Sequence, residues 1–185
     1  MIHDGTYSVD VNRRIRVRDR MRFPLIDDAA AVLRQVRDEK EENGEIIRFS
    51  VLYDIARAHK LIPIREEDWG LQAFRLPGED SGDVFVHTRG TFGIASAAYW
   101  FGRVIGVAVR CSHRIMGHYM GLLHLIYADD GWLTAMGPKF WKKVLMWLFI
   151  YELLEIPITW TKVRGGTQLN WIGYYTSTYP PSSAA

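Results

Sequence analysis

The chain has a single cysteine, Cys111, among its 185 residues, which excludes an internal disulfide framework and any zinc site built on paired thiolates. The opening MIHDGTYSVD lacks a basic flank followed by an apolar core, so no secretory signal is expected. Long hydrophobic runs are also missing. The longest, at 144–151, falls well short of the ~20 apolar residues that span a bilayer, and Lys142, Lys143, Glu152 and Glu155 flank it. A membrane partner is therefore not expected, and an intracellular protein of open compartment is. Charge of one sign is scarce in the balance, since 23 Lys and Arg face 21 Asp and Glu, so charge must matter locally. No internal repeat is visible. What is abundant is apolar surface, at 48% of residues with seven tryptophans, which excludes disorder and suits one sizeable core with a smaller lobe attached.

Periodicity divides the chain into elements. Residues 13–22 (RRIRVRDRMR) alternate, with Arg14, Arg16, Arg18, Arg20 and Arg22 on one face, and predict a strand. Side chains on one face recur every ~6.6 Å, near the spacing of phosphates along a nucleic-acid strand, although a charged edge strand kept soluble reads equally well. A helix is predicted over 27–40, with Asp27 or Asp28 as its N-cap and an end at Gly44. A strand follows over 46–53, ending on Asp54. Short strands at 71–76 and 84–88, a long helix over about 94–115 and a helix over 139–155, stopped before Pro157, come next. The closing strands are ITWTKV and LNWIGYY, separated by Gly165-Gly166. These elements describe an α+β fold, an antiparallel sheet with helices packed on one face.

The sharpest signal is HLIYADDGWLTAMG at 124–137. Two apolar arms predict a hairpin with Asp130-Gly131 as its turn and Asp129 and Asp130 at its tip. A polar turn that happens to hold two acids is the plainer reading of this segment alone. In a split β-α-β layout, however, the strand carrying Asp54 would neighbour the hairpin, bringing three carboxylates together. Such a set suits hard divalent ions, and two Mg2+ about 3.5–4 Å apart can clamp the attacking and leaving oxygens of a phosphoryl displacement. Lys162 is then a candidate cation near the leaving group or a proton donor, or equally a surface lysine on an edge strand. His113, His118 and His124 fit no usual zinc spacing. The aromatics Tyr99, Trp100, Phe101, Trp132, Trp141, Trp147 and Trp171 could stack on bases, but their periodicity reads first as core packing.

These residues, in this order, resemble the fingers and palm of a retroelement reverse transcriptase. YSVDVNRRIRVRDRMRFPLIDD resembles the fingers segment that leads into the palm. FSVLYDIARAHKLIPIREEDWGLQAF resembles the first palm motif, with Asp54 at its metal-binding aspartate. TFGIASAAYWFGRV resembles the motif whose backbone, at Phe92-Gly93, faces the incoming nucleotide. LIYADD resembles the Tyr-x-Asp-Asp motif with Tyr127, Asp129 and Asp130, and ITWTKVRGG places Lys162 at a later-motif lysine. LNWIGYY resembles the primer-gripping segment with Trp171 and a turn at Ile172-Gly173.

The resemblance implies a split β-α-β palm over 48–176 with fingers strands inserted around 60–90, a partial fingers segment at 1–47 and a frayed tail at 177–185. It implies an RNA-directed DNA polymerase that joins a deoxynucleoside triphosphate to a primer 3′-OH with two Mg2+, or Mn2+ in their place, on Asp54, Asp129 and Asp130. RNA template and DNA primer would be its partners, with His59, Phe92, Gly93 and Tyr127 at the nucleotide and Arg14, Arg16, Arg18, Trp171 and Gly173 at the nucleic acid. Two departures qualify this. His59 stands where the family usually has Tyr or Phe to block a ribose 2′-OH, and Thr6, Tyr7 and Ser8 precede Val9-Asp10 where many relatives carry a basic residue. With the chain stopping after the primer-gripping segment, neither thumb nor ribonuclease H is expected to follow, as in a fragment of a longer polyprotein. A truncated, catalytically inactive polymerase-derived nucleic-acid-binding protein is the alternative expectation.

Overall fold

The computed structural model describes residues 10–39, 46–76, 82–117 and 121–179. Of the positions singled out above, Thr6, Tyr7, Ser8, Val9, Gly44, His118 and the end of the tail lie outside the described residues. In chain order the elements are α1 (Val11–Arg14), α2 (Ile26–Asp38), β1 (Arg48–Asp54), β2 (Ala73–Phe74), β3 (Phe85–Val86), α3 (Ala95–Met116), β4 (Leu122–Tyr127), β5 (Asp130–Met136), α4 (Phe140–Leu153), β6 (Arg164–Gly166), β7 (Gln168–Trp171) and β8 (Tyr174–Ser177), with 3-10 turns at Ala58–Leu61, Glu66–Gln72 and Trp160–Lys162. The chain divides into two compact units, one of residues 1–21 and 57–105, the other of residues 22–56 and 106–185.

The second unit is built on a four-stranded antiparallel sheet in the order β4-β5-β1-β6. Register places Leu52 beside Trp132 and Tyr53 beside Gly131, so alternate side chains of β1 and β5 leave on opposite faces. On one face Trp132 packs with Ala29, Val32 and Leu33 of α2, and with Leu52, Leu125 and Trp171. On the other, Tyr53 meets the Tyr151 ring of α4 edge-on at 5.5 Å. Helices thus cover both faces rather than the one face the sequence predicts. The cause is β5, buried on every residue from Gly131 to Met136, which needs cover on both sides. Ser50 and Thr134, paired across the strands and buried, share a hydroxyl hydrogen bond of 2.8 Å.

Helix α2 begins one residue before the predicted position. Leu25, not an aspartate, is its N-cap, and Asp28 reaches back to accept the Leu25 backbone N–H at 2.7 Å. Its last turn is closed by Arg48 of β1, whose buried guanidinium donates to the carbonyls of Val36, Arg37 and Glu39. A cation there also answers the helix dipole. Past α4, the predicted strand ITWTKV is absent. Pro157 has no donor, Ile158 makes a single bridge to Ile55, and the chain turns at Trp160–Lys162. Gly165-Gly166 lies inside β6 instead of between strands, and a side chain on Gly165 would meet the Phe49 ring.

In the first unit a short β2-β3 hairpin pairs Phe74 with Phe85, and Tyr99, Phe101 and Ile105 of α3 are buried. The arginine-rich segment is not a strand. Helix α1 ends at Arg14, and residues 15–25 follow without regular structure. A strand needs a partner for its backbone, and among the described residues none pairs with 13–22. Side chains anchor the segment instead. Asn12 bonds Gly93 O and Ala95 N, and Asp19 accepts from Tyr99 and twice from Arg103. Among the described residues no helix is long and apolar enough to cross a membrane.

Candidate active site

Asp54, Asp129, Asp130 and Lys162 all belong to the second unit. Asp54 is the last residue of β1 and pairs across the sheet with Asp130, the first residue of β5. The β4-β5 hairpin turns at Ala128-Asp129, two residues earlier than predicted, with Ala128 in the left-handed region at φ 50°. Gly131 serves another purpose than turning. The Tyr53 ring lies over its α-carbon, and a Cβ there would come within 2.1 Å of the ring. The close approach fixes the register in which Trp132 faces the core and Asp130 stands opposite Asp54.

The Asp54 main chain is clamped on both sides. Ile55 N donates to Asp129 O at 2.9 Å, and Thr159 N donates to Asp54 O at 2.8 Å. Its carboxylate, largely buried, accepts the Thr159 hydroxyl on Oδ1 at 2.6 Å and the Lys162 ammonium on Oδ2 at 2.8 Å. That hydrogen bond, followed by the charges of Asp54, Asp129 and Asp130, raises the Lys162 pKa. Burial raises the Asp130 pKa, the negative charges of Asp129 and Asp54 add to it, and the Lys162 charge partly offsets them. Among the described residues no group of three or more His, Cys, Asp or Glu side chains stands gathered for a metal ion.

The remaining predicted positions fall in several places. Tyr127 is partly exposed at the end of β4, its ring 5.0 Å from Phe23. Trp171 is 2% exposed and packed against Trp132 with the ring planes tilted by 46°, and its indole N–H lies on Asp130 O at 3.3 Å. It supports the acidic turn from the core and offers no face to a base. Ile172 and Gly173 take φ of 43° and 88° between β7 and β8, the two positive values a tight I′ hairpin turn requires, and Gly173 is exposed. In the first unit, the His59 ring lies 4.7 Å from Phe92, which with Gly93 is exposed. Arg14, Arg16 and Arg18 are exposed but share no strand face.

Two features escaped the sequence. Thr159 carried no motif signal. Behind the acids, the Tyr53 hydroxyl sits 2.6 Å from His124 Nε2 and 3.0 Å from the Tyr151 hydroxyl, beneath Trp147. An aromatic alternating with a histidine in facing strands was the only available hint.

No protein-family model and no curated protein matches the sequence. Solved structures do match in fold. A foamy viral protease-reverse transcriptase in complex with double-stranded DNA superposes with a TM-score of 0.63 at 13% identity, covering 91% of this chain and 26% of that one. The same enzyme with an RNA/DNA hybrid gives 0.55 at 16% identity, covering 70% and 16%. The apo telomerase of Candida tropicalis, truncated from its C-terminal domain, gives 0.62 at 12% identity, covering 84% and 39%. This chain spans less than half the length of each, and what it shares with them is a reverse-transcriptase-like fold of antiparallel sheet and helices.

Proposed function

We propose that this chain is the catalytic core of an RNA-directed DNA polymerase of retroelement type, with the second unit as its split β-α-β palm and the first as part of its fingers. The observation that carries the reading is the meeting of Asp54, Asp129 and Asp130 at adjoining strand ends, in a fold shared with reverse transcriptase and telomerase. An all-carboxylate donor set suits a hard cation, which would neutralise the negative charge that Asp129 and Asp54 add to the effect of burial in raising the Asp130 pKa. Asp54 and Asp129 would be the principal holders of Mg2+, or Mn2+ in its place, with Asp130 the third carboxylate. Bound there, the ions would supply charge stabilisation to phosphoryl transfer from a deoxynucleoside triphosphate to a primer 3′-OH.

The chain's own residues position. Thr159 and Lys162 orient the Asp54 carboxylate. Lys162, its pKa raised by the hydrogen bond to Asp54 and its side chain 63% exposed, would be the cation offered to a departing pyrophosphate. Tyr127, Phe92, Gly93 and His59 are assigned to the nucleotide by the motif resemblance, and Arg14, Arg16, Arg18 and Gly173 to the nucleic acid. The partners are an RNA template and a DNA primer, by analogy with the RNA/DNA hybrid and DNA held by the foamy viral enzyme.

Primer extension on an RNA template tests the reading, with Mg2+ and then Mn2+, deoxy- and ribonucleotides in turn, and Asp129→Asn as control. Extension by the native chain and none by the variant is the expected result. Salt-sensitive primer-template binding without extension by either would instead make the chain a polymerase-derived nucleic-acid-binding protein without turnover.

A further inference from the structure

Helix α4 is apolar on almost its whole circumference, so it has two faces to bury and one sheet to bury them on. Val144, Trp147, Leu148, Ile150 and Tyr151 are covered within the second unit. Opposite them, Trp141, Leu145, Met146, Phe149 and Leu153 remain 50%, 57%, 49%, 58% and 65% exposed. Residues 141, 145, 149 and 153 recur every fourth position and form one stripe along the helix. About half of each of five large side chains amounts to roughly 400–500 Å² of contiguous apolar surface, at the upper range for a free monomer.

The charges at the two ends say what covers it. Exposed Lys139 and Lys142 stand at the N-terminal end, and exposed Glu152 and Glu155 at the C-terminal end. They are placed evenly about Trp147. Lys142 lies five residues before it and Glu152 five after, Lys139 eight before and Glu155 eight after. The apolar stripe obeys the same symmetry, with Leu145 and Phe149 two residues from that midpoint and Trp141 and Leu153 six. The Lys142 ammonium lies 5.2 Å from the Trp141 ring, along the stripe. A second helix of the same sequence laid parallel would set lysine level with lysine. Laid antiparallel, it sets Lys142 level with Glu152, Lys139 level with Glu155 and the apolar residues against one another.

We propose that this face of α4 is an isologous interface between two copies of the chain, with the helices antiparallel across a two-fold axis. Two such patches bury about 800–1,000 Å² in total, the size of a weak, transient interface, hence a reversible dimer with a dissociation constant of about micromolar order or weaker. The proposal does not rest on the polymerase reading.

Analytical ultracentrifugation of the full chain through the micromolar range tests it. The mass should rise from 21.4 kDa toward twice that value with concentration. Phe149→Glu, an exposed change, should hold the chain monomeric throughout while its melting temperature stays that of the native chain. Lys142→Glu or Glu152→Lys alone should weaken the dimer about tenfold by setting like charges level, and the two together should restore it. A native chain that stays monomeric at every concentration overturns the proposal and leaves the stripe to another segment or another protein. So does a dimer indifferent to Phe149→Glu, or a double charge variant no tighter than the single ones. Should Phe149→Glu unfold, the charge variants decide alone.

Discussion

Thr159 holds Asp54 twice, its hydroxyl donating to the carboxylate Oδ1 at 2.6 Å and its backbone N–H to the Asp54 carbonyl at 2.8 Å. One residue of the segment after α4 thereby sets both the strand end and the side-chain rotamer of the central acid. Valine at 159 keeps the shape and the backbone bond but deletes the hydroxyl. A hydrogen bond to a charged group is worth about 1.5–3 kcal/mol, so Thr159→Val should lower kcat of primer extension by roughly 10- to 100-fold, with Thr159→Ser close to native. Steady-state extension kinetics check this, and an unchanged kcat in the valine variant would remove Thr159 from the site.

Gly131 is required by a neighbour, not by a turn. An alanine Cβ there would sit 2.1 Å from the ring of Tyr53, a fully buried side chain whose hydroxyl is hydrogen-bonded at its far end. Gly131→Ala should destabilise the chain by about 3 kcal/mol, the upper part of the overpacking range, and disturb the adjoining Asp130. Adding Tyr53→Val makes room and should recover part of the loss. Urea unfolding of the single and double variants provides the measurement, and additive losses would show that the ring does not enforce the glycine.

Asp130 carries a destabilising charge. Its pKa is raised first by burial and then by Asp129 and Asp54, so the folded chain takes up its proton more readily than the unfolded chain does. Stability is therefore lost as pH rises from the ordinary value of 3.8 through the higher folded value, and the cost is fully present at neutral pH. Asp130→Asn should raise the melting temperature at pH 7 by about 1–2 °C, a small effect because the side chain is largely solvated, while primer extension falls. Calorimetry and extension assays on the same preparation read both. A lowered melting temperature would mean that the carboxylate is held by attraction.

What the sequence shows of this site, and what it hides, follows from how local each determinant is. The apolar run ending on Asp54 and the two arms around Asp129-Asp130 are local patterns, and their strands form where predicted. The hairpin turn lies two residues before the predicted Asp130-Gly131: that pair is a strong local turn signal, whereas the actual register answers to Tyr53 on another strand. The arginine alternation of 13–22 is also local, but strands are completed by partners, and this segment has none among the described residues. Thr159 and Arg48 act through partners 105 and 9 to 12 positions away, with no periodicity to announce them.

His59 tests the assigned nucleotide face. Its ring leans on Phe92 at 4.7 Å and on Phe101 at 5.6 Å, leaving a smaller ring where the resembling motif has a tyrosine or phenylalanine. The native chain should accept ribonucleotides measurably, and His59→Tyr should sharpen the preference for deoxynucleotides by about tenfold, the effect of one well-placed steric contact. The ratio of kcat/KM for dGTP and GTP measures it. An unmoved ratio would separate His59 from the sugar.

The buried network behind the acids fixes a protonation state, and that gives an acid-sensitive stability. The Tyr53 hydroxyl donates to Tyr151, so it has no second proton to give, and the 2.6 Å contact with His124 must be donated by Nε2 of a neutral imidazole. Nδ1, buried and without a hydrogen-bond partner among the described residues, is then the bare nitrogen. Charging this ring would bury an unpaired N–H beside Trp147, with His113 as a second cation nearby. Burial first, and His113 second, accordingly lower the His124 pKa from 6.5 to about 3. Because the folded value lies below the unfolded one, the unfolded chain takes up the proton first as pH falls through 6.5, and stability is lost from there down to about pH 3. At about 1.4 kcal/mol per pH unit, the loss reaches roughly 2–3 kcal/mol near pH 4.5. His124→Gln keeps an N–H for Tyr53 and removes the titration, so it should flatten this part of the profile. Urea unfolding at stepped pH from 7 to about 4.5 compares the two chains. Parallel losses of stability would show that His124 is not held neutral.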